Sequence, residues 1–280
     1  MMRRAAIGVL ALAVSTATLV VGSPPTAVRA VGQVTEVCRF SDQRLTEISG
    51  ITLSRRHPGV AWVHNDSSGG PFVYAIDLAT CRTLARVRIA GAPARDIEAI
   101  AMGTGKNGNP IMWVADIGDN IDGWPYVWLY RFQEPRTLTD STVRPRIFRV
   151  TYKDRSHNAE TLLVDPHSTR MWIVTKQLAH GRIYELPRPL SRTRVNVARP
   201  IHTEGGMITD GAVNPDGTRY VLRDYVNATI FLGLPVGRQQ SVVSLPFQPQ
   251  GEAITWTADG RALLVASERD PRLLRVEVGP

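Results

Sequence analysis

Three glutamates recur at the same position of an internal repeat, and carboxylates in one register are candidates for metal binding or acid–base chemistry. They are Glu98, Glu160 and Glu252, and the equivalent positions of two further copies hold Ser49 and Thr209. Three carboxylates facing one narrow axis would repel one another unless a cation, a shared proton or nearby arginines offset their charge. Calcium, which accepts six to eight oxygen ligands, suits this set best.

A second set of polar residues follows the second apolar run of each copy. Its members are His64, Asp66, Asp116, Lys176, Arg223 and Glu268. Successive strands of a meander are antiparallel, so the end of the second strand returns to the face where the first strand begins. We therefore expect Asp116, from the acidic stretch WVADIGDN, to join the three glutamates as a metal ligand.

The candidates for ligand binding are His64, Asp66, Asp116, Lys176 and Arg223. Lys176 and Arg223, together with His64, would place positive donors beside the acids, and a metal with Lys and Arg suits a phosphate or carboxylate. The alternative is that the acids accept backbone hydrogen bonds and hold neighbouring blades together, and that His64 is an ordinary surface residue. Within WVADIGDN and the residues that follow, we expect Asp119, Asn120 and Asp122 to cap a turn.

The elements that must position these residues are short hairpins. Asp-Pro, Pro-Asp-Gly and Ala-Asp-Gly each divide two β-rich runs, as in TDGAVNPDGTRYVLRD. Five copies begin at Ser49, Glu98, Glu160, Thr209 and Glu252, with spacings of 49, 62, 49 and 43 residues. Repeats of this period are typical of solenoids and propellers.

Each copy continues into a third apolar run and most into a fourth, but the last copy ends after three. VTEVCRF, residues 34–40, could supply the missing strand and leave no open sheet edge. The sequence therefore predicts an all-β, five-bladed β-propeller with four-stranded antiparallel blades, closed by an N-terminal strand. The alternative is a six-bladed ring with one degenerate blade in the long second repeat.

Residues 1–30 have the layout of a signal peptide, with Arg3 and Arg4 before an apolar run and Val28-Arg29-Ala30 at its end. The alternative is an uncleaved membrane anchor. Cleavage would leave residues 31–280 as a single domain, secreted to the extracellular space or cell envelope, with no membrane span. In such a protein two cysteines, Cys38 and Cys81, are expected to form a disulfide, the alternative being two separately buried thiols.

The charge balance argues against a nucleic-acid partner. After removal of residues 1–30, 30 basic residues remain against 25 acidic ones, a net charge of +5. The arginines are spread along the chain, whereas nucleic-acid binders concentrate them in a stripe. We expect a monomer whose surface has a slight preference for anions.

Four segments carry a resemblance to a known family: WVADIGDN, HNAETLLVDP, TDGAVNPDGTRYVLRDY and PQGEAITWTADGRALLVASE. They resemble a family of exported actinobacterial β-propeller proteins of uncertain role, over nearly the whole chain after residue 30. More distantly, the chain resembles phytase-like propellers and the gluconolactonase and strictosidine-synthase group, through the fold and the acids at blade starts. That distant resemblance implies a divalent cation at one end of the channel and, in some members, hydrolysis. The phytase-like enzymes carry denser acid clusters than this chain does.

Together these observations predict a secreted propeller that binds a small-molecule, glycan or protein ligand at an acidic channel mouth containing a divalent cation, calcium by preference. The alternative is a calcium-dependent hydrolase of a phosphoester or lactone, with Glu98, Glu160 or Glu252 as metal ligand or general base. A glycosidase using a carboxylate pair is a third class. No GxSxG, CxxC or HExxH motif supports a serine hydrolase, a redox enzyme or a zinc protease.

Overall fold

The computed structural model of the protein describes residues 28–29, 32–66 and 69–278. The predicted signal peptide, residues 1–30, lies outside the described residues except for Val28 and Arg29. The described chain consists of β-strands joined by turns and loops, with no α-helix in these ranges. Accordingly, this part of the chain has no helix of the length and apolarity needed to cross a bilayer.

The strands form four sheets, and in each the chain runs mainly as an antiparallel meander. The sheets are numbered in chain order, and the second is described separately below. The first sheet contains β3 (Ile48–Leu53), β4 (Val60–Asn65), β5 (Phe72–Asp77) and β6 (Thr83–Ile89), with the short β10 (Ser141–Val143) added in parallel to β6. The third contains β16 (Asp210–Val213), β17 (Arg219–Arg223), β18 (Asn227–Leu232) and β19 (Arg238–Ser244), with β1 (Val28–Arg29) in parallel to β19. The fourth contains β20 (Gln250–Trp256), β21 (Ala262–Glu268), β22 (Asp270–Glu277) and β2 (Val34–Arg39).

The second sheet is larger and has eight strands. One half is a meander of β7 (Ile97–Thr104), β8 (Pro110–Asp116), β9 (Val127–Gln133) and β11 (Arg146–Tyr152). The other half is a meander of β12 (Ala159–Val164), β13 (Met171–Thr175), β14 (Arg182–Glu185) and β15 (Asn196–Thr203). The halves meet where β11 and β15 pair in parallel, from Val150 opposite Asn196 to Tyr152 opposite Ala198.

The turns that revealed the repeat are hairpin turns in the structure. Gly217 and Gly260 close the β16–β17 and β20–β21 connections with φ of 73° and 65°, in the left-handed region that glycine adopts without strain. Most residues of the strands beside these turns are buried because a sheet lies on either side of them, and β4, in the first sheet, is buried along its whole length. Continuous apolar runs such as VAWV suit that environment better than strict alternation does.

The innermost strands form a closed ring. β3 contacts β7 and β20, β12 contacts β7 and β16, and β16 contacts β20. Meanders arranged around an axis in this way constitute a β-propeller, and the predicted class is confirmed. The apolar core lies between neighbouring sheets, where Trp62, Trp172 and Trp256 are among the largest fully buried side chains.

The N-terminal strand closes the last sheet, as predicted. β2 pairs antiparallel with β22, from Val34 opposite Val276 to Arg39 opposite Arg272. Cys38 in this strand and Cys81, just after β5, form a disulfide with their Cα atoms 5.5 Å apart. The predicted bond is therefore present, and it ties the closing strand to the first sheet.

Candidate functional site: the acidic mouth

The antiparallel order brings carboxylates from several strands to one end of the ring. First strands begin at this end and second strands finish there, so residues distant in sequence become neighbours. We call this end the acidic mouth and define it by Asp66, Asp96, Glu98, Glu160, Glu252 and Glu268. Ionised together, these six side chains would repel strongly.

Three of the six converge more closely than the others. Carboxylate oxygens of Asp66, Asp96 and Glu98 all lie within 4.8 Å of one another. Two oxygens on opposite sides of a Ca²⁺ ion are separated by about 5 Å, since each lies about 2.3–2.6 Å from the metal. The trio therefore has dimensions that an ion of this size can fill.

The pKa values of the trio reflect burial and mutual repulsion. Burial, with further contributions from Glu160 and Asp66, raises the pKa of Glu98 well above its ordinary value. Burial and the neighbouring Asp66 raise the pKa of Asp96 to about 7. A hydrogen bond of 2.9 Å from Ser49 Oγ to Glu98 Oε2 opposes the shift of Glu98 without removing it. A bound cation would let all three carboxylates ionise.

Gly118, in the middle of WVADIGDN, makes room for one member of the trio. A Cβ atom at Gly118 would lie 2.2 Å from Oδ2 of Asp96, far inside van der Waals contact. The backbone N–H of Gly118 also donates a 3.1 Å hydrogen bond to the carbonyl oxygen of Asp96. The glycine is thus required for the close approach of the Asp96 carboxylate.

Two of the repeat glutamates, Glu160 and Glu252, share a lysine. Lys176 Nζ lies 2.6 Å from Oε1 of Glu160 and 3.2 Å from Oε1 of Glu252. Burial disfavours the charge of Lys176, but Glu160 and Glu252 raise its pKa above the ordinary value. The hydroxyl of Tyr225 donates a 3.2 Å hydrogen bond to Glu252 Oε1, and the Lys176 ammonium lies 5.3 Å from the centroid of the Tyr225 ring.

Two carboxylate oxygens at the mouth have no hydrogen-bond partner within the described chain. They are Oε2 of Glu160 and Oε1 of Glu268, and both are buried. Burial and the adjacent Glu252 raise the pKa of Glu268 to about 8, and burial also raises the pKa of Glu160 to about 8 although Lys176 opposes it. Buried acceptors without donors are costly unless a proton, a water or a ligand satisfies them.

Asp116 is held by its own hydrogen bonds, and its carboxylate is not among those that converge within 4.8 Å. Tyr130 donates its hydroxyl to Oδ2 at 2.6 Å, and the backbone N–H groups of Arg95 and Asp96 donate at 3.2 and 3.1 Å. The side chain is fully buried. These contacts give Asp116 the role of holding the backbone that carries Asp96, whereas its register had predicted a metal ligand.

Asp119, Asn120 and Asp122 lock their loop, in line with the turn predicted for them. Asp119 accepts hydrogen bonds from the backbone of Gly123 and Trp124 at 2.9 and 2.7 Å. Oδ1 of Asp122 accepts from the backbone N–H of Asn158 at 2.8 Å, and Asn158 Nδ2 donates to Asn120 Oδ1 at 3.1 Å. The loop after β8 is thereby tied to the start of β12.

His64 and Arg223, predicted to contact a ligand, are fully buried. The Arg223 guanidinium donates to the carbonyl oxygens of Ala253 and Ala266 at 3.0 and 3.3 Å and to the Gln248 amide oxygen. Burial lowers the pKa of His64 to about 4, so the imidazole is neutral at pH 7. The candidate site does not include either residue.

A groove leads outward from Lys176 between the loops that follow β8 and β13. Its volume is about 700 Å³, and its lining includes Ile121, Leu178 and His180. Ile121 and Leu178 are 82% and 89% exposed. A ligand anchored at the mouth could extend along this groove, whose volume lies in the range of small-molecule sites.

Sequence reasoning placed Asp66 among the ligand-binding candidates and did not connect it with Asp96 or Glu98. Asp66 follows β4, and Asp96 lies two residues before Glu98. These two positions are the sequence signal that could have joined them to Glu98. Tyr225 was missed, and nothing in its local sequence distinguishes it from a core tyrosine.

The fold and its mouth together define a β-propeller with an acidic channel end. No protein-family model matches the sequence, and no curated protein matches it. Among solved structures, a chain in "Crystal Structure of Mitotic Checkpoint Complex" aligns with a TM-score of 0.43 at 10% identity, over 83% of this chain and 64% of that chain. This chain therefore spans less than two thirds of that structure's length. The "Structure of Dos1 propeller" aligns with a TM-score of 0.40 at 10% identity, over 83% of this chain and 68% of that chain.

Proposed function

We propose that this protein is a ligand-binding β-propeller whose acidic mouth holds a divalent cation, calcium by preference. The observation that carries the proposal is the convergence of Asp66, Asp96 and Glu98, with carboxylate oxygens within 4.8 Å of one another. Calcium is preferred over magnesium because its longer bonds suit this spacing, and magnesium needs oxygens about 2.0–2.1 Å from the metal.

The ligand is proposed to complete the coordination of the cation from the open side. Asp66 and Asp96 are only half-buried, so the ion would remain accessible from the mouth. An oxygen of a small molecule, a glycan or a protein side chain is the complementary group, and carboxylate or hydroxyl oxygens serve equally as calcium ligands. The groove beside Lys176 would accept the rest of such a molecule.

The proposal includes a five-bladed ring. It is supported by the two four-stranded meanders within the eight-stranded sheet, each with an innermost strand of its own, β7 and β12, in the closed ring of contacts. On this interpretation the parallel β11–β15 pair is a contact between the outer edges of two blades. Export belongs to the same proposal, because the disulfide Cys38–Cys81 suits an oxidising compartment and residues 1–30 are predicted to be a signal peptide.

Calcium titration of chelator-treated protein tests the cation. Binding to the folded state alone raises the free energy of unfolding by about 2.7 kcal/mol at a hundredfold excess over the dissociation constant. Asp96→Asn should abolish this gain without destabilising the metal-free protein, because it removes a charge from a repelling group. Asp216→Asn, in the turn between β16 and β17, is the matched control. A parent protein as indifferent to calcium as Asp96→Asn would refute the proposal.

Hydrolysis is a second candidate, favoured by Glu160, whose unpartnered oxygen lies in the cluster that surrounds the trio. Burial raises the pKa of Glu160 to about 8, and a carboxyl group that titrates near neutral pH could exchange a proton with a substrate. Turnover of phosphoester and lactone substrates with and without calcium, compared between the parent and Glu160→Gln, would distinguish an enzyme from a binding protein.

A further inference from the structure

A groove at the end of the ring opposite the acidic mouth is lined by positive side chains. It lies between the β7–β8 turn, the end of β9 and the start of β11, and its volume is about 350 Å³. We call it the basic groove and define it by Lys106, Arg131, Arg144 and Arg146. The amides of Asn107, Asn109 and Gln133 also line it, and none of the described lining residues is acidic.

Two of these cations lie directly across from each other in one sheet. Arg131 on β9 and Arg146 on β11 are register partners in an antiparallel pair, so both side chains project from the same face. Directly opposed residues have Cβ atoms about 4.5–5.5 Å apart, and like charges in this position destabilise a sheet. An anion bound between them would turn this repulsion into attraction.

The groove cations lack the acidic partners that several other surface arginines have. Arg272 pairs with Asp270 at 2.6 Å and Arg155 with Asp122 at 2.8 Å. In contrast, none of the four groove cations makes an ion pair or a side-chain hydrogen bond with another described residue. Glu134, which directly follows β9, accepts a 2.8 Å hydrogen bond from Trp62 Nε1 and so points toward the first sheet.

Arg131 is held in place within the groove. It is half-buried, and its guanidinium carbon lies 5.7 Å from the centroid of the Trp113 ring. Burial, followed by the charge of the exposed Arg146, lowers its pKa. A guanidinium pre-positioned on an aromatic ring loses little entropy when it forms a bidentate contact.

We propose that the basic groove binds an oxyanion, a phosphate or sulfate group, between Arg131 and Arg146. Guanidinium groups bind such oxyanions through paired N–H···O bonds, and the lining amides can donate to the remaining oxygens. Lys106 and Arg144 lie at the exposed border and add long-range attraction. The site is independent of the acidic mouth. It attracts anions, whereas the mouth attracts cations.

Thermal unfolding at constant ionic strength, with chloride as the balancing anion, tests this proposal. Inorganic phosphate should raise the melting temperature of the parent saturably, and Arg131→Gln and Arg146→Gln should each weaken the apparent affinity at least tenfold. Arg88→Gln, on the exposed face of β6, is the matched control and should bind as the parent does. Without phosphate at low salt, Arg131→Gln should be at least as stable as the parent because the repulsion is relieved, which excludes misfolding as the cause of lost binding.

Inorganic sulfate tests the second proposed oxyanion. Glycerol phosphate distinguishes a free phosphate ion from a phosphoryl group carried by an organic molecule. Tighter binding of glycerol phosphate than of inorganic phosphate would indicate a phosphoryl group carried by an organic molecule, and equal binding would indicate the free ion. Equal stabilisation of the parent, Arg131→Gln, Arg146→Gln and Arg88→Gln by phosphate would overturn the proposal, and so would a response of the parent that does not saturate. Calcium titration serves as the control for the opposite end, since its outcome should be unchanged in these variants.

Discussion

The ammonium nitrogen of Lys176 lies 2.6 Å from Oε1 of Glu160. The same nitrogen lies 3.2 Å from Glu252, so one cation serves two of the glutamates that the repeat places in register. These two carboxylates are largely compensated by the protein itself. Asp66, Asp96 and Glu98, whose carboxylate oxygens all lie within 4.8 Å of one another, are the better candidates for a metal.

Replacing this lysine should destabilise the protein. Lys176→Met removes the charge that compensates two buried carboxylates, and breaking a buried ion pair costs about 3 kcal/mol. Urea denaturation measures the loss, and Lys153→Met, at an exposed position, is the control. The double variant Lys176→Met with Glu160→Gln should recover part of the stability. A Lys176→Met protein as stable as the control would contradict this role for the ion pair.

Gly118→Ala should weaken calcium binding without changing any ligand. Its Cβ would stand 2.2 Å from Asp96 Oδ2, so the carboxylate must leave its present position beside Asp66 and Glu98. The calcium concentration at half-maximal stabilisation should rise at least tenfold. Gly205→Ala, where a Cβ would meet nothing within 4 Å, should leave it unchanged. Equal calcium responses of both variants would mean that the Asp96 position is not set by Gly118.

The stability of the metal-free protein should fall as pH rises. The pKa of Glu268 is about 8 in the folded protein against an ordinary 4.5, because burial and Glu252 disfavour its charge. Between these pH values the folded state retains a proton that the unfolded state has lost, so unfolding becomes easier with increasing pH. Melting temperatures from pH 5 to 8 with chelator should show this decline, and Glu268→Gln should reduce it. Glu36→Gln is the control, because this side chain is 40% exposed, and its melting temperature should depend on pH as that of the parent does.

Loss of the disulfide should destabilise the fold without altering the mouth. The bond spans 43 residues of sequence, for which a chain-entropy estimate is about 4 kcal/mol. Replacing Cys38 and Cys81 with serine should lower the melting temperature in oxidising buffer, and reductant should then have no further effect. The calcium response should persist. Two free thiols in the denatured, unreduced parent would show that the bond does not form.

Much of the architecture could be predicted because turns and apolar runs are local signals. Asp165-Pro166 and Pro215-Asp216-Gly217 mark their hairpins directly, and the shortage of strands in the last copy indicated β2. The short β10 was missed, since a three-residue strand leaves no periodic pattern. Its parallel pairing with β6 depends on tertiary contact alone.

The candidate site was predictable only in outline. Repeat register correctly placed the acids at one end of the ring, but it does not determine the direction of a side chain around the axis. Asp116 and Glu98 both lie at this end, yet Asp116 is bound by Tyr130 and backbone N–H groups while Glu98 approaches Asp96. Which acid Lys176 neutralises depends on the same angular positions, and these arise from packing between sheets.

The pairing of β2 with β22 also has a consequence for how the protein folds. Val34 lies opposite Val276, so completing the last sheet joins two segments separated by nearly the whole described chain. The entropic cost of closing so long a loop grows only slowly with its length, by about 0.6 kcal/mol per doubling, but contacts this distant in sequence slow folding. Until β2 arrives, β22 presents an unpaired edge that can recruit strands from other molecules. The main hazard for this chain is therefore kinetic: the interval between forming the other sheets and closing the ring.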